Sequence, residues 1–537
     1  MQVHKNFGMR YIIFFVLVFT SIIFAYQNGN CAESNEILSV SLAPSNGKNG
    51  RPLPLAAHWN CGDRPGGFSP QFQVGLLEEG HHILPWFKLN DPGKLAQPSH
   101  YEKAVKLAAQ RGLPISFIGS QWEKLLTSQN TYLALPAAQN PNVVLTDGLI
   151  EKAVSPFGPL DHWREVGELW TSQPVLKKLQ EWYPNPPLVL FVSNNEHTKL
   201  RWHEVEKSQR YVQMFGLGRS DEFKRKVVGD GWVERYGALF EGMRDGLYAS
   251  DWKAKARFVG YDAFFPDAFG RWGGWHAYSL HTVDRNEPWS SVWDGASVSF
   301  YTHNWDPSVD FTAWSPQIRA MNQVFVLEEI YKNNPNYWFE LSVWDGNEPS
   351  KDNDKRKYYA SLGQDYTPER YAGMVQFGMW LLRPRVVREF RGWTDTVANN
   401  GDNFMALVRA VDRVHEEDTL KRFWRHGRLL DNPSTPHLHQ SAIPEELKDK
   451  KRWFLLDTNL DPRKPWTLET EIPVFSLALE LGRKPEREWL IYAFAPLVKE
   501  REVTVQIPGA RSARVTAGEA GHFYLVLEGA TDPSRIQ

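Results

Sequence analysis

The chain has 537 residues and a formal net charge of −2 at pH 7, with 61 Lys and Arg against 63 Asp and Glu. Cations spread through a near-neutral chain give no electrostatic footprint for nucleic acid or an anionic membrane surface, so neither is expected as a partner. The only two cysteines, Cys31 and Cys61, allow at most one disulfide, so an apolar core has to carry the fold.

At the N-terminus Lys5 and Arg10 precede an apolar run, Tyr11 to Phe24, that ends at Ala25. Charge, apolar stretch and small residue in that order read as a signal peptide over residues 1–25. A membrane anchor needs about 20 unbroken apolar residues, and this run is interrupted at Thr20 and Ser21. The expected location is therefore secreted or periplasmic, with no membrane association after cleavage. Residues 26–50, rich in Ser, Asn and Gly, read as a linker.

From about residue 51 short apolar runs alternate with stretches of helical period, the pattern of a parallel sheet with helices outside it. The expected strands are His82 to Phe87, Pro114 to Ile118, Val143 to Thr146, Leu188 to Ser193, Arg257 to Tyr261, Ala296 to Tyr301, Tyr337 to Val343 and Val375 to Leu381. Expected helices include Tyr101 to Arg111, Asp161 to Trp182, Asp221 to Ala249, Pro316 to Lys332 and Pro368 to Ala372. Eight such strands without a G-x-G-x-x-G phosphate loop point to an α/β fold of the (β/α)8 TIM barrel type over residues 51–430 rather than a doubly wound sheet. After about residue 450 the period changes to two, as in Glu488 to Phe494, Glu502 to Ile507 and His522 to Leu527, which predicts a C-terminal antiparallel β-sandwich within residues 431–537.

Reactive groups of such a barrel sit at the carboxyl ends of its strands, so acidic residues that close an apolar run come first. Two glutamates are read this way: Glu196 in Val192-Ser193-Asn194-Asn195-Glu196 and Glu340 in Tyr337-Trp338-Phe339-Glu340. An unpaired carboxylate among aromatics is costly to bury, which favours a chemical role over the rival reading of a salt-bridged strand residue.

The Asn195-Glu196 pair after a fourth strand, with Glu340 on a seventh, resembles the clan of retaining glycosidases that contains β-galactosidases, cellulases, mannanases and agarases. The narrower resemblance is to secreted proteins acting on marine galactans or carrageenans. It implies a glycoside hydrolase that cleaves a polysaccharide or oligosaccharide by double displacement, with Glu196 as acid/base, Glu340 as nucleophile and Asn195 binding the hydroxyl beside the reacting carbon. By the same resemblance Tyr301 or His303 hydrogen-bonds the nucleophile, and Trp380 is the platform beneath the sugar.

The 23 Trp are the unusual number in the composition, and an indole pairs an apolar face with one N–H, which suits a sugar as well as a core. Further substrate contacts are expected from His58, Trp59, Trp86, Trp122, Trp305 and Trp344. No H-x-x-x-H or C-x-x-C spacing suggests zinc, and no cofactor is expected. The competing readings are a polysaccharide lyase using Tyr301 or His303 as base, and a non-catalytic carbohydrate-binding protein on the same fold.

Overall fold

In the computed structural model the described residues are 99–119, 121–193, 200–261, 289–301, 315–345, 359–361, 363–389, 397–431, 444–447, 474–507 and 509–537, with Pro92 and the short segments 55–57, 83–84, 86–89 and 454–456. The expected leader and linker, residues 1–50, lie outside them.

The chain enters through β1 (Leu55–Ala57), β2 (Ile83–Leu84) and β3 (Trp86–Leu89), then alternates. Helix α1 (Ser99–Arg111) leads to β4 (Ile115–Gly119), followed by a hairpin of β5 (Asn142–Val144) and β6 (Ile150–Val154). Helices α2 (Asp161–Thr171) and α3 (Pro174–Trp182) lead to β7 (Val189–Ser193), and α4 (Asp221–Gly246) to β8 (Ala256–Gly260). Then come β9 (Gly295–Tyr301), α5 (Ser315–Asn333), β10 (Trp338–Trp344), α6 (Pro368–Leu382), β11 (Val386–Glu389), α7 (Val397–Glu416) and α8 (Asp418–His426).

The strands of this unit form one parallel sheet in the order β2-β1-β11-β10-β9-β8-β7-β4-β3. Six of them make a curled half-barrel. Because side chains alternate along a strand, each face of the sheet builds its own core. Phe339, Leu341 and Val343 of β10 pack outward with the helices in the main core. Trp338 meets Leu190, Val192, Val259 and Val386 in a separate cluster made only of strand residues and their immediate flank, the concave interior.

Six of the eight expected strands are found within a residue or two of their place; two are corrected. Val143 to Thr146 does not join the parallel sheet: β5 pairs antiparallel with β6. The cause is the turn Asp147-Gly148, where Gly148 takes a φ of 87° and the Asp147 carboxylate accepts the Leu149 N–H at 3.0 Å. Such an Asp-Gly dipeptide between apolar residues is a strong hairpin signal. Val375 to Leu381 is helix, not strand, within α6, which starts at an N-cap where the Thr367 hydroxyl accepts the Arg370 N–H and carries Pro368 at its first position. Residues Arg370 to Leu382 of α6 are all buried, so the helix shows no polar face, and an apolar run of that kind does not separate helix from strand.

Helices α2 and α4 approach more closely than ordinary side chains permit. A Cβ on Gly242 would lie 1.9 Å from the Arg164 carbonyl oxygen, and one on Gly167 would lie 2.0 Å from that of Leu239. Gly242→Ala gains about 1 kcal/mol of helix propensity but forces two backbones apart, at a cost of roughly 1–3 kcal/mol or more. A net loss of stability is expected in urea denaturation, and an unchanged midpoint would show that the helices part freely.

The C-terminal strands are β12 (Arg428–Leu429), β13 (Phe454–Leu456), β14 (Val474–Leu481), β15 (Glu488–Phe494), β16 (Glu500–Gln506), β17 (Ser512–Gly518), β18 (His522–Leu527) and β19 (Ser534–Ile536). They form a separate sheet, antiparallel except for one parallel bridge between β15 and β17. Alternation divides β15 between two cores. Leu490, Tyr492 and Phe494 join the main core against α6, while Trp489, Ile491 and Ala493 join a second cluster with Val503, Val505 and Val515 of β16 and β17. Specific contacts pin the sheet to α6: Phe377 meets Phe475 at 5.4 Å, Tyr492 donates to the Gly373 carbonyl at 2.7 Å, and buried Arg370 pairs with Glu519 at 2.6 Å.

Candidate active site at the carboxyl ends of the parallel strands

Strands β7 and β8 end in register, with Ser193 beside Gly260, and β9 and β10 end in register, with Tyr301 beside Trp344, while Gly260 pairs with Ala296 near the start of β9. Tyr261, just past β8, is drawn onto this edge because its N–H donates to the Ser193 carbonyl at 2.7 Å. Its hydroxyl donates to that of Tyr301 at 2.6 Å, and the Tyr301 ring meets Trp344 edge-on at 5.3 Å. Trp344 shares a strand face with Trp338, which points into the concave cluster. Three aromatic residues on adjacent strands thus line one rim of the sheet. Tyr261→Phe removes the rim's hydrogen bond, and a loss of about 1 kcal/mol is expected by thermal denaturation; no change would mean the pair contributes nothing net.

Asp345 follows Trp344 directly. It is buried, and its carboxylate accepts from the Asn403 amide of α7 at 2.6 Å. This is the acidic group that closes β10.

Glu340 does not close its strand. It is the third residue of β10, level with Ser297 of β9 and Val386 of β11, and four residues short of Trp344. At about 3.3 Å per residue that places it roughly 13 Å from Trp344 along β10, level with Ser297, the residue after the one that pairs with Gly260 at the end of β8. Its side chain is 0% exposed and that of Arg388 on β11 is 1% exposed. Arg388 holds both carboxylate oxygens, through Nε to Oε2 and through Nη2 to Oε1 at 2.6 Å, and the Trp338 indole N–H donates to Oε1 at 2.8 Å. Guanidinium and carboxylate in this fork geometry neutralise one another and fix both side chains. The salt-bridged strand residue weighed in the sequence reading is the arrangement found. The sequence placed Glu340 at a strand end because β10 is buried on both faces, and its apolar run carries no mark of where it stops.

The other expected site residues divide three ways. Asn195, Glu196, His58, Trp59, His303 and Trp305 lie outside the described residues; Ser193, the end of β7, is the last described position before the Asn-Glu pair. For Trp86 the backbone alone is described, at the start of β3. Tyr301 and Trp344 are on the rim.

Two tryptophans lie away from this edge. Trp122 follows β4 but folds back under the helices, stacked on Trp293 at 6.3 Å and edge-on to Phe240 at 6.0 Å, fully buried. Trp380 lies on α6, edge-on to Trp424 at 5.0 Å and to Phe523 at 5.2 Å, and belongs to the junction with the C-terminal sheet. Both are fully buried, as are Trp163, Trp170, Trp232, Trp252, Trp289, Trp293, Trp338 and, on the rim itself, Trp344. Among the described residues most of the indoles are in the core.

Sequence reasoning missed Tyr261, Asp345 and Arg388. Asp345 was open to the rule applied to Glu340, since it is the acidic residue after the last apolar position of its run. Arg388 was not, because its four-residue strand was not recognised.

No family model matches the chain, and no curated protein matches it. Among solved structures it is similar to GH36 alpha-galactosidases of Geobacillus stearothermophilus. With a variant of AgaA in complex with raffinose it shares 9% identity over 84% of this chain and 54% of that chain, at a TM-score of 0.20. With AgaA itself the identity is 11% over the same shares, at 0.21, and with AgaB it is 10% over 78% of this chain and 49% of that chain, at 0.23. The chain thus spans about half the length of these structures, and superposition this loose carries no argument about fold or chemistry.

Proposed function

We propose that the chain is an exported glycoside hydrolase that cleaves saccharide chains at the carboxyl ends of a closed (β/α)8 barrel. Closure is supported by the sheet order, whose two end strands, β2 and β3, are separated in sequence by Pro85 alone. A single strand over these residues pairs with β1 on one side and β4 on the other and makes eight strands of the nine segments. Export rests on the leader-like residues 1–25.

The observation that carries the reading is the rim itself: Tyr261, Tyr301 and Trp344 beside the Asp345 carboxylate, at the end of the sheet where such barrels place their chemistry. Aromatic faces beside a carboxylate suit a sugar ring and a developing oxocarbenium charge. Glu196, three residues beyond the end of β7, is the acid/base in this reading, and Asn195 contacts the neighbouring hydroxyl. Asp345 replaces Glu340 as the second carboxylate. Glu196 gives its proton to the leaving oxygen as Asp345 bonds to the anomeric carbon; Glu196 then takes a proton from the water that displaces Asp345. Glu340 acts through Arg388, holding β10 and β11 together beneath the rim.

The test is release of new reducing ends from a panel of neutral and sulfated polysaccharides. Glu196→Gln and Asp345→Asn are expected to lose about a hundredfold or more of activity while melting at the wild-type temperature. Full activity in Asp345→Asn would remove it from the mechanism, unsaturated products would replace hydrolysis by elimination, and binding without cleavage across the panel would leave a non-catalytic saccharide binder.

A further inference from the structure

Away from the rim, a cleft of about 620 Å³ opens where α6 and α7 meet the edge of the C-terminal sheet. Its floor is made of three small residues, Ala372 of α6 with Ala406 and Ala410 of α7, which form a cluster of their own. Larger side chains there would fill the space between helix and sheet. The walls carry three cations against one acid: Arg409 and Arg413 of α7 and Arg535 of β19, with Glu369 near the start of α6 and His522 at the start of β18.

These guanidiniums are only loosely balanced. Arg409 approaches Glu369, and Arg535 approaches Glu500, each at 4.0 Å, beyond hydrogen-bond range, and both arginines are about half exposed or more. Arg413 is fixed in place: it donates to the Ile536 carbonyl at 2.8 Å and lies over the Phe523 ring at 5.2 Å. Burial lowers the Arg413 pKa, Tyr492 and the Glu417 charge act against that, and the neighbouring Arg535 charge lowers it by a smaller amount, so the two guanidiniums weakly repel. An anion between them relieves that repulsion. His522 has its Nδ1 on the Thr516 carbonyl at 2.8 Å, which makes Nδ1 the donor, and burial lowers its pKa, leaving Nε2 as an acceptor for a hydroxyl.

We propose that this cleft is a second binding site, for an oxyanion group, sulfate ester or carboxylate, carried on a saccharide. Arginine forks match the planar or tetrahedral oxygens of such groups, and the volume accommodates a sugar unit around them. The carrier rests on the glycosidase reading; the anion specificity rests on the arginines alone.

The test is calorimetric titration of the full chain with a sulfated galactan oligosaccharide, a uronate oligosaccharide and the desulfated galactan. Binding of at least one acidic ligand and not of the neutral one is expected, weakened at least tenfold in Arg409→Glu/Arg535→Glu. Both positions are exposed, so melting temperature and reducing-end release from a neutral substrate are expected to stay at wild-type values. As a second probe, Ala410→Met fills the floor and is expected to weaken the same ligand. Equal binding of the neutral ligand, or of the acidic ligand to the double variant, would overturn the site. Absence of hydrolysis with charge-selective binding intact would overturn the enzyme reading and leave the site standing.

Discussion

Arg388→Met is expected to cost about 3–5 kcal/mol of stability, while the double replacement Arg388→Met/Glu340→Leu recovers most of that loss. A buried ion pair is balanced internally, so removing one member strands the other charge in a medium that solvates it poorly. Replacing both leaves two apolar side chains among Trp338, Val386 and their neighbours, which the concave cluster accommodates. Urea denaturation of the four proteins of a double-mutant cycle measures the coupling. A double variant no more stable than the single would show that Glu340 and Arg388 act independently. Glu340→Gln is expected to lose activity only in proportion to its folded fraction; a folded but inactive Glu340→Gln would restore Glu340 as the attacking group.

Deletion of residues 431–537 is expected to leave no cooperatively folded α/β unit. Helix α6 lies between the parallel sheet and the C-terminal sheet, with Phe377 on Phe475, Trp380 on Phe523, and Arg370 paired to Glu519. Cutting away the sheet exposes this contiguous apolar surface and strands a buried guanidinium at once. A gentler probe is Trp380→Ala, for which about 3–5 kcal/mol of destabilisation is expected from cavity formation. A truncated protein that is monomeric and melts in one sharp transition would show that the sheet is an independent attachment.

The sequence made the alternating architecture legible where strands were flanked by turns and helices of clear period: β7, β9 and β10 stand within one residue of their expected places. It failed where a run was apolar on every side. Helix α6 was read in part as a strand, because a helix wedged between two sheets has no polar face to reveal its period. The very short β1 and β11 carried too few residues to show alternation, and Arg388 was lost with β11. At the site, residue type was legible and depth was not. A glutamate inside an apolar run marks a partnered carboxylate, but its distance from the strand end is set by where the sheet edge falls, and the partner came from another strand. Tyr261 was named as the end of a strand, and its role on the rim came only from its hydrogen bond across to Tyr301.

The two-sided burial of β15 also has a consequence in time. Helix α6 is complete at Leu382, but the strands that cover it end at Leu527, so the ribosome must add the intervening chain before that surface is sheltered. At about 5–20 residues per second this takes roughly 7–30 s. For that interval the nascent chain presents Phe377 and Trp380 uncovered, and its yield in the cell depends on what holds that surface until the last sheet arrives.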